Sequence, residues 1–187
     1  LNGYQINDEE LNLLFNTAGE KINDIADVAN QLNFLKNGNK VSFVKNRNIN
    51  YTNQCYYKCG FCGFSKGPKS FNLKEKPYSI DIQEVVDRTT EAFEMGASEV
   101  CLQGGIHPDY TGEFYLNMVK EIKQTTPDMH IHGFTPLEIW QGAETINLSI
   151  EEYLKLLLDA GLNTLPGTAA EILDDRVRKY LLSLIHI

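Results

Sequence analysis

The sequence predicts an α/β fold, a parallel (β/α) barrel of the TIM-like type, present as about half a barrel behind a helical N-terminal extension. Short apolar runs alternate with amphipathic helical stretches, the pattern of βαβ units and a parallel sheet. Four such units can be counted, whereas a complete barrel of about 250 residues has eight. The suggestive motifs fall where the apolar runs end, which is where barrels of this type carry their chemistry. Residues 1–39 read as the extension and residues 40–187 as the core, truncated at its C-terminus.

In chain order, Asn7-Asp8-Glu9-Glu10 ahead of Leu11, Leu14 and Phe15 predicts a capped amphipathic helix. Residues 21–36 predict a second, with Ile22, Ile25, Val28, Ala29, Leu32 and Leu35 at helical spacing, ended by Asn37-Gly38-Asn39. Residues 40–51, with Val41, Phe43 and Val44, predict a first strand running into a cysteine loop that continues through Gly67-Pro68-Lys69. Asp81 and Glu84 form a capping box for a helix over about 81–95, stopped by Gly96. Residues 99–102 predict a short buried strand ending in Gln103-Gly104-Gly105. A helix over 113–125 follows, with Leu116, Val119 and Ile122 on one face, then a third strand over 129–134. Ser149 and Glu152 form a second capping box, for a helix carrying Tyr153, Leu154, Leu157 and Leu158 and closed by Gly161; residues 162–165 predict the fourth strand.

Of 187 residues, 42% are hydrophobic and 22% charged, with 17 basic and 25 acidic side chains giving a net charge of -8. This is a globular composition. An acidic balance without a basic run argues against nucleic acid as a partner, and no apolar stretch approaches the length needed to cross a bilayer. No segment resembles a signal peptide, so a reducing, cytoplasmic location is expected.

Cys55, Cys59 and Cys62, spaced C-x3-C-x2-C, supply three thiols from one loop. A 4Fe-4S cluster normally takes four protein thiolates, so three leave one iron open to chelate a substrate. A structural zinc site would need four ligands, usually as two paired knuckles, and no second pair is present. Plain structural thiols are the other alternative. Cys101, inside Val100-Cys101-Leu102, reads as a core residue behaving as a small hydrophobe. His130 and His132 alternate along a strand and so share a direction, opposite to Ile131. His132, nearer the strand's end, is the catalytic candidate, because a neutral imidazole moves protons near neutral pH. His130 reads as structural, and His107, beside Pro108, as turn structure.

The cysteine loop resembles that of radical S-adenosylmethionine enzymes, and the resemblance extends further. Asn53-Gln54-Cys55 through Phe64-Ser65, Leu102-Gln103-Gly104-Gly105-Ile106-His107-Pro108-Asp109, Met129-His130-Ile131-His132 and Pro166-Gly167-Thr168-Ala169-Ala170-Glu171-Ile172-Leu173-Asp174-Asp175 are together similar to the second (CofH-type) component of deazaflavin (FO) synthases. It covers residues 8 to 178 approximately; the tail 180–187 departs from the family, and the second half of the barrel is expected to lie beyond this sequence. Two related radical enzymes of the futalosine route to menaquinone share the cluster loop but usually carry Pro-Gly-Gly-Gly-Ala-Glu-Ile after the fourth strand.

The resemblance implies a radical transferase that moves the 4-hydroxybenzyl group of L-tyrosine to 5-amino-6-(D-ribitylamino)uracil. It also implies the other FO synthase subunit as functional partner and a reductase or ferredoxin-like electron donor. Cys55, Cys59 and Cys62 would hold a 4Fe-4S cluster, with Phe61 packed near the cofactor. Gln103, Gly104 and Gly105 would meet the methionine end of S-adenosyl-L-methionine, since glycines let backbone approach a ligand closely. Glu171 would bind ribose hydroxyls, or only offset a helix dipole. A futalosine-type enzyme and a non-catalytic iron-sulfur or zinc protein remain the alternatives.

Overall fold

The sheet consists of three parallel strands, β1 (Asn46–Asn50), β2 (Glu99–Gln103) and β3 (His130–Gly133), in the order β1-β2-β3. The computed structural model describes residues 4–57, 59, 62–65, 76–167 and 174–181. The chain divides into two compact units, Leu1–Phe43 and Val44–Ile187.

The first unit holds α1 (Asp8–Phe15) and α2 (Lys21–Asn37). The Asn7 side chain accepts from the Glu10 N–H at 2.9 Å, and Glu10 returns the bond to the Asn7 N–H at 3.0 Å. Gly38, at φ 62°, ends α2. None of the residues in either helix is buried. The predicted apolar stripe therefore forms as helix but without a burial partner within its own unit.

In the second unit, α3 (Ile82–Glu94) joins β1 to β2, and α4 (Gly112–Thr125) joins β2 to β3. Beyond β3 come α5 (Pro136–Thr145), α6 (Ile150–Ala160) and α7 (Asp175–Leu181). Strand alternation sorts the sheet into two unlike faces. Ile49, Val100, Leu102 and Ile131 are buried in one core with Val85 of α3, Met118, Val119 and Ile122 of α4, and Tyr153 and Leu157 of α6. Each such side chain contributes about 1.5–3 kcal/mol of transfer free energy. The other face carries Asn46, Asn48 and Asn50, then Glu99, Cys101 and Gln103, then His130 and His132, none of them fully buried. Neighbours across it are in register, Asn48 with Cys101 and Cys101 with His132.

Several expectations change here. Cys101 is not in the core: it lies on the polar face, where its Sγ accepts from Gln103 Nε2 at 3.3 Å. The first strand begins at Asn46, and Val41 and Phe43 are 93% and 89% exposed. Its polar face removes the apolar alternation that would have marked it. Residues 162–165 do not form a full strand: His132 and Thr164 make an isolated parallel bridge. There the Asn163 side chain occupies the Ile131 N–H at 2.8 Å, where a regular ladder would place a backbone carbonyl. Asp81 accepts from the Glu84 N–H at 2.7 Å, while the Glu84 side chain pairs with Arg88, so that capping box is half formed. The Ser149/Glu152 box and the Gly161 stop, at φ 111°, are complete.

The helix α5 has no counterpart among the predicted elements, although Thr135-Pro136-Leu137-Glu138 carries both a capping box and a proline at the first turn. Thr135 N donates to Glu138 Oε2 at 2.6 Å, and Glu138 N donates back to Thr135 Oγ1 at 3.2 Å. Glu138 is 0% exposed, and its Oε1 has no hydrogen-bond partner among the described residues. Burial pushes this carboxyl up to about 8, against the pull of the Thr135 and Gly104 amides. The Gly104 amide acts on it without closing a hydrogen bond.

Two expected outcomes follow from the packing. Leu102→Ala lowers stability by about 2–5 kcal/mol, whereas Cys101→Ala, one residue away on the other face, costs less than about 1 kcal/mol, both read as shifts in urea midpoint. For Glu138 the folded state binds a proton that the unfolded chain has already released. Its contribution is thus complete below the ordinary carboxyl value of 4.5 and lost as pH rises through about 8. Stability falls across that window by up to about 1.4 kcal/mol per pH unit, and Glu138→Gln flattens this part of a urea-midpoint profile.

Candidate metal and cofactor site

The ends of β1 and β2 are held together beyond the sheet itself. Tyr51 N donates to Gln103 O at 3.3 Å, Gly105 N to Thr52 O at 2.8 Å and Tyr56 N to Ile106 O at 3.1 Å. This close approach explains both glycines. A Cβ on Gly104 would sit 2.4 Å from Tyr51 Cε2, and one on Gly105 would sit 2.3 Å from the Gln54 carbonyl oxygen. Neither residue has a positive φ, so what they supply is space. The Gln103-Gly104-Gly105 turn is thereby pressed against the cysteine loop.

A returning segment braces the loop's entry. Thr52 Oγ1 donates to Tyr78 O at 2.7 Å, and buried Asn53 donates to Lys76 O at 3.0 Å while accepting from Tyr78 N at 2.8 Å. Cys55, Cys59, Tyr57 and Trp140 pack against the buried pair Ile106 and Leu137, so α5 forms the apolar floor beneath two of the thiols. Gln141 of the same helix donates to His107 O at 3.1 Å. Leu137 and Trp140 belong to none of the sequence motifs; the Thr135/Glu138 capping box of α5 is the signal that points to them.

Cys55, Cys59 and Cys62 are all half-buried and make no disulfide. Burial pushes the Cys55 thiol up, with a small addition from Cys59, while the amides of Ile106 and Tyr57 and the Ser65 hydroxyl pull it down. Cys62 N donates to Cys59 O at 3.1 Å, which joins the main chain at the second and third cysteines. Among the described residues no group of three His, Cys, Asp or Glu side chains is gathered closely enough to hold a metal ion. Lys58, Gly60 and Phe61, between the cysteines, lie outside the described residues. The donor set nevertheless fits an iron-sulfur group: soft thiols on one short loop over an apolar floor, where a bound cation would reverse the cost of ionising Cys55.

Tyr56 and Tyr57 stack beside the loop with centroids 4.3 Å apart and hydroxyls 3.2 Å apart. His107 stacks on Tyr110 at 4.5 Å and accepts through Nδ1 from the Asp109 N–H at 3.2 Å, the geometry of a turn residue. His130 and His132 both reach one hydroxyl, with His130 Nε2 at 2.9 Å and His132 Nδ1 at 2.7 Å from Thr164 Oγ1. Glu99 Oε2 lies 3.8 Å from His130 Nε2. Glu171 is outside the described residues. Tertiary structure thus brings the cysteine loop and the Gly-Gly turn together and sets His132 on the adjoining polar face, in register with Cys101.

Several known proteins resemble this chain in sequence. The chain is 38% identical over 173 residues to the 5-amino-6-(D-ribitylamino)uracil–L-tyrosine 4-hydroxyphenyl transferase of Methanothermobacter thermautotrophicus, covering 92% of the chain and 46% of that protein. It is 47% identical over 144 residues to the protein of the same name from Methanopyrus kandleri, covering 77% and 38%. It is 44% identical over 171 residues to the FO synthase of Mycobacterium tuberculosis strain H37Rv, covering 91% and 20%. The chain therefore spans less than half the length of these curated relatives.

Among solved structures, HydG, a maturase of the FeFe-hydrogenase, superposes with a TM-score of 0.71 at 19% identity, covering 95% of this chain and 37% of that one. Methylornithine synthase PylB gives 0.57 at 16% identity, covering 87% and 55%. Both likenesses concern the fold, a partial TIM-like barrel. Residues 49–182, from the end of β1 through the Gly-Gly turn and α7, match the Radical SAM superfamily, and the chain belongs to that superfamily.

Proposed function

We propose that the full-length protein transfers the 4-hydroxybenzyl group of L-tyrosine to 5-amino-6-(D-ribitylamino)uracil in deazaflavin coenzyme (FO) biosynthesis. The observation that carries this reading is the cysteine loop stitched to the Gly-Gly turn, in a chain 38% to 47% identical to relatives named for that transfer. Cys55, Cys59 and Cys62 would hold a 4Fe-4S cluster, with Phe61 beside it. Gln103, Gly104 and Gly105 would receive S-adenosyl-L-methionine, and Glu171 its ribose. When bound, these two groups supply radical chemistry, namely hydrogen-atom abstraction from tyrosine.

The chain's own side chains do the rest. Ile106, Leu137 and Trp140 keep water from the thiols Cys55 and Cys59. Thr52 and Asn53 fix the direction in which the loop leaves β1. His132 is assigned to proton movement at the substrate. The other FO synthase subunit would take the product, and a reductase or ferredoxin-like protein would supply electrons. The expected location is the cytoplasm; among the described residues no helix is long and apolar enough to cross a membrane.

The test is anaerobic mass spectrometry on the full-length, cluster-reconstituted protein with reductant, S-adenosyl-L-methionine, L-tyrosine and 5-amino-6-(D-ribitylamino)uracil. A 4-hydroxybenzyl adduct together with 5′-deoxyadenosine is expected; deoxyadenosine without adduct overturns the substrate assignment. Cys59→Ala is expected to abolish both products and the cluster's visible absorbance, while unchanged products would remove Cys59 from the cluster.

A further inference from the structure

We infer that Thr164 joins His130 and His132 into one proton relay, anchored at Glu99, that sets the protonation of the nitrogen His132 presents to substrate. The inference deepens the proposed function and rests on its assignment of His132. Its basis is that two imidazoles from β3 converge on a single hydroxyl, at 2.9 Å and 2.7 Å. Thr164 arrives from the segment whose pairing with β3 is the isolated bridge to His132, secured by Gly133 N donating to Thr164 O at 2.9 Å.

A threonine hydroxyl has one proton to give, so two ring nitrogens cannot both accept from it. Glu99 decides the direction. Its carboxylate lies 3.8 Å from His130 Nε2 and accepts from Asn46 Nδ2 at 3.3 Å, which favours a proton on that ring nitrogen. His130 Nε2–H then donates to Thr164 Oγ1, and Thr164 O–H donates to His132 Nδ1. This leaves His132 as the Nε2–H tautomer, with the bond at one nitrogen fixing the other.

The steps balance without any further reactant. When His132 gives its Nε2 proton to a substrate base, Nδ1 takes the Thr164 proton, and Thr164 takes the Nε2 proton of a His130 imidazolium. His130 ends neutral with its proton on Nδ1. In reverse, a proton from an acidic substrate N–H or O–H ends on His130, where Glu99 compensates the charge. Across the sheet from the pair, β2 presents the titratable Glu99 and Cys101, and β1 the uncharged Asn46 and Asn48. Thr164 is exposed and both imidazoles are half-buried in this chain, and the hydroxyl acts through His132 as a positioning group.

Thr164→Val keeps the side chain's shape and removes the hydroxyl; Thr164→Ser keeps the hydroxyl. On the full-length protein with its cluster oxidised, 15N-histidine NMR is expected to show His132 unprotonated at Nδ1 and protonated at Nε2. Thr164→Val should shift the His132 Nδ1 resonance and reduce adduct formation ~10-fold, with S-adenosyl-L-methionine affinity unchanged, and Thr164→Ser should restore both. An unshifted resonance in Thr164→Val overturns the relay, and so does a shifted resonance with full adduct formation. Because the NMR needs no substrate, an inactive parent protein would overturn the substrate assignment and leave the relay to be judged on its resonances.

Discussion

The close approach of the Gly104-Gly105 turn to the cysteine loop is the constraint on which the site depends. Parallel pairing of β1 and β2 does not stop where the strands stop: Gly105 N to Thr52 O and Tyr56 N to Ile106 O carry it into both loops. Only residues without a Cβ permit this, since the added atom would lie 2.3 Å from a main-chain oxygen that cannot turn away. The same contact brings Ile106 over the thiols and leaves α5 to close the floor with Leu137 and Trp140. The cysteine loop and the Gly-Gly turn are thus one assembly.

A second consequence comes from the unlike faces of the sheet. Parallel sheets covered by helices on both sides have near-continuous apolar strands. Here Ile49, Val100, Leu102 and Ile131 meet the helices, while asparagines, Glu99, Cys101, Gln103 and the two histidines occupy the opposite face. Such a face contributes little to stability and leaves its polar groups available for chemistry. Glu138 is the counterexample inside the protein, a carboxyl whose burial is offset only in part by its cap bond to Thr135.

Much of this was legible in the sequence because it is local. The helices α1, α3 and α6 announce themselves through caps, α2 and α4 through 3.6-residue apolar spacing, and Gly38, Gly96 and Gly161 end helices at positive φ. The cysteine spacing points to an iron-sulfur group, and the motifs around it resemble a radical S-adenosylmethionine family, the superfamily that residues 49–182 match. What showed poorly was whatever lacked an apolar rhythm: the start of β1, a strand with one buried side chain whose expected apolar residues Val41 and Phe43 lie before it, and α5, whose capping box carries no matching apolar spacing.

The sequence by itself determined the alternation of the first three strands with their helices, the three-thiol loop and the presence of two glycines after β2, since spacing, caps and missing side chains are properties of short segments. Only tertiary structure decided what those segments meet. It turned Cys101 out of the core, because strand alternation places it opposite Val100 and Leu102. It laid Asn163 across the Ile131 N–H, so that the fourth segment pairs by a single bridge. And it brought two histidines spaced for one face onto the same hydroxyl of Thr164, a contact between residues over thirty positions apart that no local pattern encodes.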